Sequence, residues 1–86
     1  QQTLFALNST FIQDRATALL KLSNIRQAES EEDRVRMIYQ KIYSRSPDSF
    51  EIKEALAFLN QGGNPEKTRQ QLIHALLASN EFHFVD

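Results

Sequence analysis

Apolar residues recur along this chain three and four positions apart, which is the period of amphipathic helices and not the alternation of strands. The clearest stretch lies between Ser30 and Leu59. Val35, Ile38, Tyr39 and Ile42 fall at i, i+3, i+4 and i+7 on one stripe, with Arg34, Arg36, Gln40 and Lys41 mainly on the other faces. Ile52, Ala55, Leu56 and Leu59 continue the pattern after an interruption. Ser30 is placed to cap the first helix, with Asp33 completing a box-like arrangement. Glu31, Glu32 and Asp33 put negative charge at the positive end of the helix dipole. Pro47 disfavours helical backbone at Ser46 and is expected to end that helix. Asp48 or Ser49 can cap the next one, and Glu51 stands three residues after Asp48, as a capping box requires. The pattern therefore predicts a helical hairpin with a tight corner at Ser46-Pro47-Asp48.

The flanks are less regular. Leu4, Phe5 and Leu7 form an apolar cluster too brief for a helix of its own, and read as a helical turn against the core. Asn8, Ser9 and Thr10 can each start a helix, whose apolar side is Ile12, Ala16, Leu19 and Leu20, ending near Leu22. Residues 23–29 are polar and read as a loop with Ile25 tucked in. Asn60-Gln61-Gly62-Gly63 is a helix stop, and Asn64-Pro65 a start, with Asn at the cap and Pro at the first helical position. Leu72, Ile73, Leu76 and Leu77 supply the buried face of the last helix. From Ser79 the period breaks, and Phe82 and Phe84 alternate with His83 and Val85. That end is expected to be an extended tail packed on the bundle, the alternative being a continued helix held by a neighbour. The predicted fold is all-α: a small antiparallel, bundle-like packing of about four helices, with a short N-terminal helical turn and an extended C-terminal tail.

Composition narrows the picture without naming an activity. The 86 residues make one domain, with 41% hydrophobic content sufficient for a single core. Ten basic and eleven acidic side chains give a net charge of −1, which implies no general attraction to nucleic acid or to an anionic membrane. Cysteine is absent, so disulfides, thiolate metal sites and haem attachment through C-x-x-C-H are excluded from this chain. No apolar run approaches the ~18 residues of a bilayer span. The chain starts at Gln1 without Met and carries no signal-like segment, and reads as a piece cut from a longer protein.

Candidate chemistry is sparse. Arg45, Pro47 and Glu51 surround the corner, where an ion pair holding the turn competes with a charged site; a lone Arg and Glu without a nucleophile define no reaction. Asn80 and Glu81, just before Phe82, interrupt the last apolar run; Asn80 can satisfy helix-end carbonyls, and Glu81 can meet Arg45 or an N-terminal amide. His74 and His83 lack a second donor at ligand spacing. Glu29, Glu31, Glu32 and Asp33 lack the alternating oxygens and Gly bend of a calcium loop. The aromatic residues fall mostly on the apolar stripes, and Phe50 at the corner is the one expected to face outward. Arg34, Arg36, Lys41 and Arg45 make a mild basic stripe that acids interrupt, without the aromatic interleaving of a nucleic-acid surface. The expectation is no catalytic residue, no metal site and no cofactor in this chain.

In order along the chain stand Gln2-x-Leu4-Phe5-x-Leu7-Asn8-Ser9-x-Phe11, Ala16, Arg34-Val35, Tyr39, Arg45-x-Pro47-x-x-x-Glu51, Ala55, Phe58-Leu59 and His74-Ala75-Leu76-Leu77-x-Ser79-Asn80-Glu81-Phe82. Almost end to end, this order resembles the C-terminal part of the planctomycete cytochrome-c-associated domain of unknown function. The departures are Thr10 where Pro is common, Ser44 where Gly is common, and Arg69 where Trp is often found. The resemblance implies a large exported protein with c-type haem carried elsewhere, this segment closing its chain, and an extracytoplasmic location. It brings no catalytic residue with it. The Tyr39…Arg45-x-Pro47-Asp48-x-x-Glu51 corner also resembles helical surface-layer and phycobilisome-linker-like domains.

The functional expectation is a non-catalytic helical accessory domain that packs on upstream domains of its parent protein. Apolar material at both ends (Leu4, Phe5, Phe82, Phe84) could alternatively join two copies. No nucleic acid and no direct membrane insertion are expected. The alternative reading is a contribution to an enzyme or redox site completed by upstream domains, with Arg45, Glu51, His74 and Glu81 as contributors.

Overall fold

In the computed structural model the backbone is described for residues 12–85 and the side chains for residues 12–79. Every regular element among them is helical: α1 over residues 12–20, α2 Ser23–Arg26, α3 Glu31–Tyr43, α4 Ser49–Leu59 and α5 Pro65–Val85. The all-helical expectation holds. The Leu4–Phe5 turn and the start signal at Asn8, Ser9 and Thr10 lie outside the described residues.

The capping chemistry predicted from the sequence is present. The Ser30 hydroxyl accepts from Asp33 N at 3.1 Å and opens α3. At α4 the Asp48 carboxylate accepts from Glu51 N at 2.8 Å, while Glu51 Oε1 accepts from Asp48 N at 2.9 Å, a complete capping box. Asn64 Oδ1 accepts from Glu66 N at 2.9 Å and from Lys67 N at 3.3 Å, with Pro65 at the first helical position. Gly62 and Gly63, at φ 96° and 81°, carry the chain between α4 and α5 through the left-handed region that glycine enters without a Cβ penalty.

α3 is the central helix. It packs on α2, α4 and α5, and its two sides feed two apolar clusters. Ile38 joins Ala16, Ile25 and Ile73 in one, all at 0% exposure, with Leu19, Leu20, Leu22 and Met37 around them. Val35 and Tyr39 join Ala55 and Leu72 in the other, flanked by Tyr43, Leu56, Phe58 and Leu59. Leu76 packs against both and ties them together. Full burial of an Ile or Val side chain is worth about 1.5–3 kcal/mol, so Ile25, Ile38, Ile73 and Val35 are the main apolar anchors.

Three expectations are corrected. Residues 23–29 are not a plain loop: they contain α2, closed by Arg26 N to Leu22 O and Gln27 N to Ser23 O, both at 2.9 Å. Burial of Ile25 holds this single turn, which local pattern alone does not announce. Arg34 is not on a solvated basic stripe but is buried, at 7% exposure. The C-terminus is not an extended tail, because α5 continues through Val85; no Gly or Pro follows Pro65 to stop it. A smaller difference concerns the end of α3. The helix stops at Tyr43, before Pro47 can act, with Ser44 left-handed at φ 60° and ψ 35° and its N–H donating to Gln40 O at 3.0 Å. Pro47 itself is buried under the corner.

Candidate functional site

The corner between α3 and α4 gathers three of the sequence-predicted residues. Arg45 reaches across it to Glu51 in a bidentate pair, Nη1 to Oε1 and Nη2 to Oε2, both 2.8 Å. Nη1 also donates to Ser46 O at 3.1 Å. The guanidinium stands 5.6 Å from the Tyr39 ring centre and 5.5 Å from that of Tyr43, so it meets two aromatic faces at once. Those two rings, four residues apart on α3, contact each other edge to face at 5.3 Å. Tyr43 Oη donates to Leu76 O at 2.8 Å and ties the corner to α5. Pro47 is buried beneath, and Phe50 projects outward at 68% exposure, as expected.

This arrangement sets the electrostatics. The Arg45 guanidinium and then the Asp48 amide, both bonded to Glu51, hold its carboxyl down at about 2. Arg45 is driven further above its ordinary value, chiefly by the same bond. Burial pushes the Tyr39 and Tyr43 hydroxyls upward, reinforced at Tyr39 by the Glu51 charge and opposed at Tyr43 by Arg45. A carboxylate held that low is a weak proton acceptor near neutral pH, and the upward shift moves both phenols away from phenolate. The corner is built to hold charge in place.

An open groove of about 620 Å³ lies beside it, lined in part by Tyr39, Tyr43, Ser44, Arg45, Glu51 and Leu76. A second groove of about 350 Å³, between α1 and α5, is lined by Gln13, Lys67, Gln70, Gln71, His74 and Ala75. His74 is thus a half-buried groove residue with amides for neighbours. Among the described residues no three His, Cys, Asp or Glu side chains group as metal ligands would. The Asn80, Glu81 and Phe82 side chains, and the postulated contact of Glu81 with Arg45, lie outside the described residues.

A second polar cluster escaped the sequence reading. Arg34 Nε donates to Ile25 O at 2.8 Å and Nη2 to Arg26 O at 3.2 Å, capping the carbonyl end of α2, where Ile25 O also accepts from Ala28 N at 3.4 Å. Its Nη1 meets Glu31 Oε1 at 2.8 Å, and Glu31 also accepts from Arg69 Nε at 3.1 Å. One carboxylate thereby links α2, α3 and α5. Partial burial opposes ionisation of Glu31, but the hydrogen bonds from Arg69 and Arg34 outweigh it and lower its pKa. The i, i+3 spacing of Glu31 and Arg34 was legible; the approach of Arg69 from 38 residues away was not. Among the described residues no buried side-chain polar atom lacks a partner.

Comparison of the chain with family models, with curated proteins and with solved structures finds no match in any of the three.

Proposed function

We propose that this chain is a non-catalytic helical accessory domain that closes a larger exported protein of the cytochrome-c-associated type and packs on its upstream domains. The observation that carries the reading is the corner itself. Arg45 and Glu51, the best candidates for chemistry, bond to each other, to the Ser46 carbonyl and to the Asp48 amide, and so act as a joint between two helices. The order of residues that resembles the planctomycete domain supplies the context: an extracytoplasmic protein with c-type haem carried by other domains, and none bound here.

The test uses the longer protein that contains this segment. Arg45→Ala, Glu51→Ala, His74→Ala and Glu81→Ala are each introduced, and haem spectra, turnover on candidate polymers and Tm are recorded. The accessory reading expects unchanged spectra and turnover, with a lowered Tm for the two corner variants. The groove beside Arg45 and Glu51 is the observation that favours the second reading, a site completed by upstream domains. Lost turnover at unchanged Tm in either corner variant would establish that second reading instead.

A further inference from the structure

α4 is apolar on more than its packed side. Seven of its eleven residues are Phe, Ile, Ala or Leu, although only Ala55 is fully buried. Leu56, Phe58 and Leu59 pack on the second core cluster. Phe50, Lys53, Glu54 and Ala57, with Gln61 just beyond the helix, are all exposed. Their spacing of three and four residues puts them on one outward ridge. Phe50 is the one large apolar side chain strongly exposed among the described residues, and Lys53 and Glu54 join none of the ion pairs formed there.

We infer that this ridge is a self-complementary surface through which two copies of the chain pair, α4 against α4, in antiparallel orientation. The order large–basic–acidic–small, Phe50, Lys53, Glu54, Ala57, reads as its own complement when reversed. A two-fold axis between Lys53 and Glu54 sets each Lys53 opposite the Glu54 of the second copy. The same axis sets each Phe50 ring against the small Ala57, where two helices can approach closely. This is the isologous arrangement that two-fold symmetry demands. A parallel pairing would instead oppose like charges and leave ring on ring and gap on gap. An eleven-residue helix is only about 16 Å long, so the contact is smaller than the ~800 Å² per partner of a stable complex, and the dimer is weak and reversible. The inference does not rest on the proposed docking to upstream domains, and each is tested separately.

Sedimentation equilibrium of the 86-residue chain, from about 10 μM to 1 mM, tests it. The wild type is expected to shift from 9.9 kDa toward twice that mass. Phe50→Ala is expected to weaken association at least about tenfold by removing the aromatic anchor. Lys53→Glu and Glu54→Lys, each alone, put like charges across the axis and are expected to do the same. An equimolar mixture of those two variants restores opposite charges at both positions and is expected to associate as the wild type does. All three substituted positions are exposed, so the helical circular-dichroism signal should be unchanged and serves as the folding control. A wild type that stays monomeric to 1 mM overturns the inference. So does a dimer indifferent to these variants, or a mixture that fails to recover.

Discussion

Replacing Arg34 tests the account of how α2 is held. In the wild type the guanidinium is 7% exposed and closes three contacts: Ile25 O, Arg26 O and Glu31. Arg34→Met keeps most of the apolar stem and removes every donor. The carbonyl of the fully buried Ile25 then keeps only the long backbone bond from Ala28 N at 3.4 Å, and the lost hydrogen bond from a charged group is worth about 1.5–3 kcal/mol. Arg26 is exposed, so water can replace the second bond at little cost. Glu31 keeps Arg69, which limits the third loss. The sum is about 2–3 kcal/mol for Met. Arg34→Ala adds the lost stem packing and reaches about 3–4 kcal/mol. Arg34→Lys keeps the charge but not the planar fork, and falls near 1–2 kcal/mol. In a domain of this size each kcal/mol moves Tm by about 4–8 °C, so thermal unfolding followed by circular dichroism resolves the series. Amide exchange adds a local readout, since the N–H groups of Arg26 and Gln27 close α2 and should lose protection first. A Met variant within about 0.5 kcal/mol of wild type, with α2 amides still protected, would refute the reasoning.

Three further outcomes follow from the same geometry. Ser44 sits at φ 60°, where a Cβ is unfavourable, so Ser44→Gly should raise stability by about 0.5–1 kcal/mol in urea titration, while Ser44→Val should lower it. Tyr43→Phe removes the bond to Leu76 O and should cost about 0.5–1.5 kcal/mol, seen as a shift in urea midpoint without a change in slope. Glu31 and Glu51 both titrate lower in the folded chain than unfolded, so their contribution is present above the ordinary carboxylate pKa of about 4.5 and is lost as pH falls through the lowered values, for Glu51 toward about 2; acid titration of a Glu31→Gln/Glu51→Gln variant should show a shallower decline below pH ~4.5.

The chain's own pattern determines the helices, their caps and the corner. Ser30, Asp48, Asn64 and the Gly62-Gly63 pair act through neighbours within four residues, so their chemistry is complete in the local sequence. Periodicity likewise named Val35, Ile38, Tyr39, Ala55, Leu72 and Ile73 as core, and all are buried. Arg45 and Glu51 were legible as partners because one corner separates them. Tertiary structure alone decided the rest. Residues 23–29 hold a helix because Ile25 enters a core assembled from α1, α3 and α5, and four residues cannot nucleate a stable helix unaided. Arg34 turns inward because the single turn of α2 ends on the carbonyls of Ile25 and Arg26, which its guanidinium reaches from α3 beside the long backbone bond from Ala28 N to Ile25 O. Arg69 meets Glu31 because packing brings the start of α5 against that of α3. Helical period and caps are properties of neighbouring residues, whereas the burial of a charge is settled by which distant carbonyl or carboxylate the fold sets beside it.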